Sequence, residues 1–116
     1  MTAVLVVEDE PLTRLSISEV LAEAGYVVLT AGNADQAIEI LEARTDIRTV
    51  FTDIDMPGSM NGLKLAAAVR NKWPPINLII TTGMSRPLKS EMPENSVFIP
   101  KPYRPGEVVD AFRRFN

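Results

Sequence analysis

Short apolar segments alternate with longer amphipathic segments along most of the chain. The five apolar segments are rich in β-branched residues and run Ala3–Val7, Tyr26–Thr30, Thr49–Thr52, Asn77–Thr81 and Val97–Ile99. Within them the apolar residues are continuous rather than alternating with polar ones, which is typical of strands covered on both faces. The pattern therefore predicts five buried strands.

The segments between these strands have helical periodicity. Pro11 suits the first position of a helix, and Gly25 is placed to end that helix. Asn33 and Gln36 have the spacing of a capping box for a second helix. Four apolar stripes support these helices and two more: Ile17, Val20, Leu21 and Ala24; Ala34, Ala37, Ile38 and Leu41; Leu65, Ala66, Val69 and Trp73; Val108, Ala111, Phe112 and Phe115. Strand and helix alternate, which predicts an α/β fold with a parallel sheet and helices on both faces.

The interval between the fourth and fifth strands departs from this pattern. It contains Pro87 and Pro93, and Pro93 disfavours helical geometry at Met92. At most a turn or two of helix fits around Leu88–Glu91. We therefore expect a shortened or irregular fourth helix in this interval.

Composition narrows the classes of function. A chain of 116 residues accommodates one compact domain, and the absence of Cys and His excludes disulfides, thiolate or histidine zinc sites and Ser-His triads. The net charge of −3 argues against a non-specific nucleic-acid binder. No apolar run approaches the ~20 residues of a membrane span, and no basic signal-peptide region precedes the first strand. We expect a cytoplasmic domain that binds neither nucleic acid nor a membrane.

Acidic residues follow two of the predicted strands. Glu8 and Asp9 follow the first strand, and Asp53 ends the third, with Asp55 two residues further on. Ligands of an open parallel sheet bind beyond the carboxyl ends of its strands, so these carboxylates should converge. Converging carboxylates raise each other's pKa values unless a cation neutralises them. Oxygen ligands without His or Cys favour a hard ion, and Mg²⁺ is the expected one.

Two further reactive residues follow the last two strands. Thr82 follows the fourth strand, and Lys101 follows the fifth. A metal ion, an ammonium group and a hydroxyl together suit the binding of a phosphate. A carboxylate beside the metal is suited to be the nucleophile of an in-line phosphoryl transfer that forms an acyl phosphate.

These motifs occur together in a known order. Val4–Asp9, Asp53 within FTDIDMPGSMNGL, Thr82-Gly83 after LIIT, and Lys101-Pro102 followed by Tyr103 resemble the receiver domain of two-component response regulators. The resemblance covers essentially the whole chain. It implies a flavodoxin-like, doubly wound five-stranded parallel sheet of order 2-1-3-4-5. It also implies one receiver domain over residues 1–116, with no output domain in this chain.

The resemblance also implies roles for the acidic residues. Asp53 is the implied phosphoacceptor. Glu8 and Asp9 are the implied acidic pair that binds Mg²⁺ together with Asp53, with Glu8 acting through a water. The backbone carbonyl of Asp55 is a further implied metal ligand.

The remaining implied roles concern the response to phosphorylation. Thr82 supplies a hydroxyl that moves toward the phosphoryl group, and Lys101 is its charge partner, preceding a cis peptide bond to Pro102. Phe98 takes the position of the switch aromatic residue and rotates into the space that Thr82 leaves. Met84 follows Thr82 closely; a thioether orients water poorly, so we expect slow dephosphorylation.

The function implied is that of a phosphorylation-dependent switch. A histidine kinase or phosphotransfer protein donates the phosphoryl group from a phosphohistidine, and the modified domain binds a downstream protein target. The chemistry is self-modification, without turnover of an external substrate. We expect a monomer or a weak phosphorylation-dependent dimer.

Other interpretations of the same residues exist. Asp53-Ile54-Asp55 also resembles the start of a haloacid-dehalogenase-type phosphatase, a family of longer chains. A flavodoxin needs a Ser/Thr/Gly-rich phosphate loop, whereas Glu8–Glu10 would repel an anion. A degenerate receiver that acts only as a docking module usually lacks the acceptor Asp or the Lys. In purely structural interpretations, Asp9, or less favourably Glu10, caps the first helix, Phe98 is a core residue and Lys101 a surface cation.

Overall fold

A computed structural model describes residues 2–55, 62–83, 92–93 and 96–115. The elements in chain order are β1 (Ala3–Val7), α1 (Pro11–Glu23), β2 (Val27–Ala31), α2 (Ala34–Ala43), β3 (Ile47–Asp53), α3 (Gly62–Lys72), β4 (Asn77–Thr82), β5 (Ser96–Pro100) and α4 (Pro105–Arg113). All neighbouring strands are parallel, and their order is β2-β1-β3-β4-β5. The predicted flavodoxin-like five-stranded sheet of order 2-1-3-4-5 is confirmed.

The sheet is covered on both faces, as the continuous apolar strands predicted. On one face, α2 and α3 bury residues such as Leu41 and Leu65 against the sheet. On the other face, α1 and α4 bury residues such as Leu21 and Phe112. Successive strand side chains point to opposite faces, so Val50 belongs to the first core and Phe51 to the second. The central strands β1, β3 and β4 are therefore buried along most of their length, whereas the edge strands β2 and β5 are partly exposed.

The N-terminus of α1 corrects one expectation. Glu10, and not Asp9, is the N-cap, and its carboxylate accepts a hydrogen bond from the Leu12 amide at 3.1 Å. The preference for Asp9 as the cap was wrong because its carboxylate lies beside those of Glu8 and Asp53 instead. Gly25, with a φ of +100°, follows the helix as predicted.

The start of α2 confirms half of the predicted capping box. The Asn33 side chain accepts a hydrogen bond from the Gln36 amide at 2.9 Å. The Gln36 side chain accepts from the amide of Gly32 at 2.7 Å, one residue before the N-cap. One amide in the first turn and one amide before the helix are therefore satisfied, although the second bond is not the one that the motif predicts.

Gly62 begins α3 directly against the end of β3. A Cβ atom at this position would collide with the backbone carbonyl of Asp53 and with the Cα of Ile54. The Gly62 amide also donates a hydrogen bond to the Ile54 carbonyl at 3.1 Å. Only a residue without a side chain allows α3 to approach Asp53 this closely.

Several predictions fall on residues that the structure does not describe. The shortened or irregular fourth helix between the fourth and fifth strands lies outside the described residues, as does Met84. The four described helices are the first, second, third and C-terminal ones of the sequence pattern. No helix in the described ranges combines the length and apolar character needed to cross a membrane.

Candidate phosphoacceptor site

Three carboxylates meet at the carboxyl edge of the sheet. Glu8, Asp9 and Asp53 each offer an oxygen atom, and these three atoms lie within 4.8 Å of one another. The register explains the meeting, because Val7 of β1 pairs with Thr52 of β3 and the next residue of each strand enters the site. Glu8 and Asp53 are buried, whereas Asp9 is exposed to solvent. The predicted convergence of these three residues is confirmed.

Glu8 has the most perturbed environment of the three carboxylates. Burial, followed by repulsion from and a hydrogen bond to Asp53, raises the pKa of Glu8 to about 7. Its Oε2 atom is buried and has no hydrogen-bond partner among the described residues. Three carboxylates this close together, two of them buried, fit the ligand set that a hard cation such as Mg²⁺ prefers.

Lys101 provides the positive charge at this site. Its Nζ atom forms a hydrogen bond and an ion pair with Oδ2 of Asp53. The Lys101 amide also donates to the Thr82 carbonyl at 3.1 Å, which anchors the backbone beyond β5. Burial alone lowers the pKa of Lys101, but the hydrogen bond and charge of Asp53 outweigh it and raise that pKa overall. Lys101 is therefore part of the site and not merely a surface cation, and its peptide bond to Pro102 is cis, as the resemblance implied.

A chain of hydrogen bonds connects Thr82 to Asp53. The Thr82 hydroxyl donates to Oδ2 of Asp55 at 2.5 Å, and the Asp55 amide donates to Oδ1 of Asp53 at 2.8 Å. The Asp55 side chain is thus directed at Thr82 and not into the group of three carboxylates. Its implied role as a metal ligand concerns the backbone carbonyl and stays a prediction.

Phe98 lies on the same face of the sheet as Thr82. It pairs with Ile80 in the β4–β5 register, and Ile80 precedes Thr82 by two residues. Because side chains alternate along a strand, all three point to the face covered by α2 and α3. Phe98 is half-buried and packs against that core. Its position agrees with both the switch and the core interpretation, and the switch role stays a prediction.

Two polar residues near the site were not predicted to have a role. Tyr103 packs edge-on against Phe51, with ring centroids 6.2 Å apart, and its hydroxyl is buried. Burial, with the charges of Glu8 and Asp53, raises the pKa of Tyr103. The hydroxyl of Thr81 is also buried, and neither hydroxyl has a hydrogen-bond partner among the described residues. The available sequence signals were the phenol directly after Lys101-Pro102 and the second threonine at the end of β4.

An open groove lies beside the site. It has a volume of about 560 Å³ and separates the first half of α1 from the segment 101–105. Leu12 and Lys101 both line it. Leu12 is 76% exposed, and Leu15 on the same helix is 55% exposed. The reactive end of the sheet is therefore bordered by an exposed apolar surface.

A comparison with protein families agrees with this geometry. The model of the response regulator receiver domain matches residues 4–113. The chain belongs to the response regulator receiver domain family, the signalling domain of two-component systems.

Individual relatives of similar length support the assignment. The chain is 30% identical to the chemotaxis protein CheY of Thermotoga maritima, over 97% of this chain and 96% of that protein. It is 34% identical to protein CcdB of Bacillus subtilis, over 98% of this chain and 97% of that protein. Three other relatives are longer, and the chain spans 8%, 24% and 23% of their lengths; they are a sensor protein, a response regulator protein and a transcriptional regulatory protein.

Solved structures share the fold. A receiver protein from Sinorhizobium medicae superposes with a TM-score of 0.91 at 23% identity, covering 98% of this chain and 93% of that one. The response regulator TrrA from Thermotoga maritima, solved in complex with Mg²⁺-BeF, superposes with a TM-score of 0.86 at 29% identity, covering 100% of both chains.

Proposed function

We propose that this receiver accepts a phosphoryl group on Asp53, in an Mg²⁺-dependent transfer from a phosphohistidine of a histidine kinase or phosphotransfer protein. One observation carries the proposal: a buried Asp53 carboxylate lies between two other carboxylates and the Lys101 ammonium. The similarity to TrrA, which was solved with Mg²⁺-BeF, supports it. The contact between Asp53 and Lys101 also disfavours a degenerate docking module, whose usual mark is the loss of one of the two.

The metal ligands are the three converging carboxylates. Glu8, Asp9 and Asp53 would hold Mg²⁺, Glu8 through a water, with the Asp55 backbone carbonyl as a further ligand. When bound, the ion neutralises the charge of these carboxylates and of the incoming phosphoryl oxygens. The raised pKa of Glu8, caused by burial and by the neighbouring Asp53, indicates an environment that stabilises one more positive charge.

The transfer exchanges one bond to phosphorus for another. A carboxylate oxygen of Asp53 attacks the phosphorus while the N–P bond of the donor breaks, and the imidazole nitrogen keeps the electron pair and is protonated by solvent. After the transfer, the Lys101 ammonium forms its ion pair with the phosphoryl oxygens instead of the Asp53 carboxylate. In the separate, slow dephosphorylation, water attacks the phosphorus, the bond between phosphorus and the Asp53 oxygen breaks, and the Asp53 carboxylate and inorganic phosphate are released. The chain thereby modifies only itself.

The switch begins at Thr82. The phosphoryl group adds about −1.5 to −2 charge units and three acceptor oxygens. The Thr82 hydroxyl leaves Asp55 and donates to one of these oxygens, and Phe98 takes the space that opens on its face of the sheet. The surface formed by β5, α4 and the segment before β5 changes shape as a result and binds the downstream protein target.

The groove beside Lys101 is the approach for the donor. A phosphohistidine can reach Asp53 only from the open carboxyl edge, and the protein that carries it must then cover the exposed Leu12 and the neighbouring Leu15. Burial of these two side chains favours binding, because apolar area leaves water. We assign this surface to the histidine kinase or phosphotransfer protein.

The deciding experiment is intact-mass measurement after incubation with acetyl phosphate. The wild type should gain one phosphoryl group that requires Mg²⁺ and is lost on hydroxylamine treatment. Asp53→Asn should gain none. Asp46→Asn is the matched control, since Asp46 is an exposed carboxylate directly before β3, and it should behave as the wild type. Absence of an adduct with acetyl phosphate and with a competent phosphohistidine donor would favour the docking module.

A further inference from the structure

Three buried oxygen atoms near the site have no hydrogen-bond partner among the described residues. They are Oε2 of Glu8, Oγ1 of Thr81 and the hydroxyl oxygen of Tyr103. The Glu8 and Thr81 side chains are almost entirely buried, with exposed fractions of 2% and 0%. Most buried polar atoms in proteins have a partner, so a group of three that lack one indicates a bound water or ion.

The sheet register places Glu8 and Thr81 on either side of Asp53. Asp53 pairs with Thr81 in the β3–β4 register, and Glu8 follows the residue that pairs with Thr52. The Glu8 amide donates to the Ala31 carbonyl at 3.0 Å, so the ladder continues through Glu8. Glu8, Asp53 and Thr81 therefore occupy one level on three adjacent strands.

Side-chain alternation directs these residues to the same face of the sheet. Val6, Phe51 and Ile79 precede them by two residues and belong to the core between the sheet and helices α1 and α4. Tyr103 covers the end of this core, because its ring packs edge-on against Phe51. The charges of Glu8 and Asp53 both act on the Tyr103 hydroxyl. All three unpartnered oxygens therefore belong to residues on the α1 and α4 side of the sheet, around Asp53.

We propose that Tyr103 and Thr81 bind one buried water, which donates a hydrogen bond to Oε2 of Glu8, and that both hydroxyls thereby position Glu8 as a metal ligand. A carboxylate can only accept hydrogen bonds, whereas a hydroxyl can donate and accept. A water between them satisfies all three atoms, since buried waters make about three hydrogen bonds. This inference rests on the proposed Mg²⁺ site of the phosphoacceptor function.

The consequence concerns the orientation of Glu8. With one carboxylate oxygen held by the water, the other would be left for the cation that Glu8, Asp9 and Asp53 would share. Groups that orient metal ligands in this way affect metal affinity without contacting the ion. Tyr103 and Thr81 are therefore positioning residues.

The first test is Mg²⁺ binding to Tyr103→Phe, measured by titration calorimetry at one pH. The substitution removes the hydroxyl and keeps the ring packing. We expect the dissociation constant to rise by about three- to tenfold, the effect of one hydrogen bond or slightly more. Tyr26→Phe is the matched control: Tyr26 is a buried tyrosine of the same core, packed on Phe112. It should leave the dissociation constant unchanged, so an unchanged value for Tyr103→Phe as well would overturn the proposal.

The second test asks whether the two hydroxyls share one water. Thr81→Val should weaken Mg²⁺ binding, and Thr81→Ser, which keeps the hydroxyl, should restore it. If both hydroxyls hold the same water, the double variant Tyr103→Phe/Thr81→Val should bind little more weakly than either single variant. Fully multiplicative effects would contradict a shared water. Should Tyr103→Phe fail to fold, the Thr81 pair alone decides.

A high-resolution crystal structure of the metal-free protein gives an independent answer. It should show a water within hydrogen-bond distance of all three oxygens, and its absence would refute the proposal. This result does not depend on phosphoryl transfer. A wild type that holds the water and binds Mg²⁺ but never accepts a phosphoryl group would refute the proposed function and leave this inference standing.

Discussion

Two carboxylate–cation pairs lie at opposite edges of the same sheet. At the edge where the strands begin, Arg44 and Asp46 pair at 2.6 Å, with side chains 39% and 54% exposed. At the carboxyl edge, Lys101 pairs with Asp53, whose side chain is only 3% exposed. In the exposed pair, each charge is compensated by the other, and the hydrogen bond from Arg44 lowers the pKa of Asp46. The buried pair has a second carboxylate beside it, that of Glu8, and burial raises the pKa of Glu8.

The difference shows how burial converts ordinary charges into a reactive site. Exposed pairs are screened by water and contribute little to folding. Buried carboxylates that outnumber their cations store unfavourable energy, which a metal ion or a phosphoryl transfer can release. The predictions below test this contrast, beginning with the largest expected effect.

The backbone at the buried site should tolerate no added volume. Gly62→Ala places a Cβ against the Asp53 carbonyl, and we expect it to lower the free energy of unfolding by about 3 kcal/mol, the upper range for an overpacked site. At Gly106, in the first turn of α4, nothing lies within 4 Å of an added Cβ. Gly106→Ala should therefore raise stability by about 0.5–1 kcal/mol. Urea unfolding of both variants measures the contrast, and equal effects would contradict it.

The free energy of unfolding of the metal-free wild type should fall as the pH rises from 4.5 to about 7. These limits are the pKa of Glu8 in the unfolded chain and in the folded chain. Across this range the unfolded chain releases the Glu8 proton before the folded chain does, so the folded state loses stability. The loss is of the order of 3 kcal/mol and should be absent in Glu8→Gln. Urea unfolding with a chelator at several pH values measures it.

Metal addition and the exposed pair provide the controls for this prediction. Saturating Mg²⁺ at pH 8 should restore the wild type but have less effect on Glu8→Gln. At the exposed edge the sign is opposite: Asp46 has a lowered pKa, so its contribution is present at neutral pH and is lost in acid. Asp46→Asn should thus differ from the wild type least at low pH. An unchanged pH dependence in Glu8→Gln would show that Glu8 is not the group responsible.

Removing the cation should affect the two pairs differently. Lys101→Met keeps the aliphatic chain but leaves Asp53 without its partner, and we expect a loss of about 2 kcal/mol in the metal-free protein. This is below the range for fully buried pairs because the Lys101 side chain is 30% exposed. Mg²⁺ should bind this variant more tightly, since no ammonium competes for Asp53. Arg44→Met should change neither stability nor Mg²⁺ affinity appreciably, and calorimetry with thermal unfolding distinguishes the outcomes.

The substitution with the smallest expected effect on stability should selectively slow phosphoryl transfer from a protein donor. Leu12→Thr changes a side chain that is 76% exposed, so stability should stay within about 0.5 kcal/mol of the wild type. Phosphorylation by acetyl phosphate should be unchanged, whereas transfer from a phosphohistidine protein should slow severalfold. Val27→Thr, at another exposed apolar residue, is the control and should affect neither. Equal slowing with both donors would place Leu12 in the chemistry and not in docking.

Much of the fold was predictable from local pattern. Continuous β-branched segments predict strands that are buried on both faces of the sheet, and the apolar stripes of the predicted helices provide the residues that pack on those faces. The strand ends were not predictable from local pattern: β2 begins at Val27, one residue later than predicted, where its pairing with Ala3 of β1 begins. β3 begins at Ile47 because Ile47 pairs with Ala3 of β1, and a register shift after this pair skips the exposed Arg48. Such limits depend on neighbours distant in sequence.

In the candidate site, too, some features follow from local sequence pattern and others from long-range contacts. That Glu8, Asp9 and Asp53 converge follows from the rule that parallel strands end at one edge, together with the order of the motifs. That Glu10 and not Asp9 caps α1 depends on where the two carboxylates lie once β1 and β3 are paired. Cap preference is a local property, and here the long-range position of Asp9 outweighs it.

By itself, the sequence determined the class of fold, the edge at which the chemistry lies and the residues that bring charge to it, because periodicity and strand order are encoded locally. Only the tertiary structure decided that Thr82 donates to Asp55, and that Oε2 of Glu8 and the Tyr103 and Thr81 hydroxyls lack partners among the described residues. These properties depend on the strand register and on the packing of α1 and α4. Register and packing bring together atoms from distant parts of the chain, and local pattern does not encode those distances.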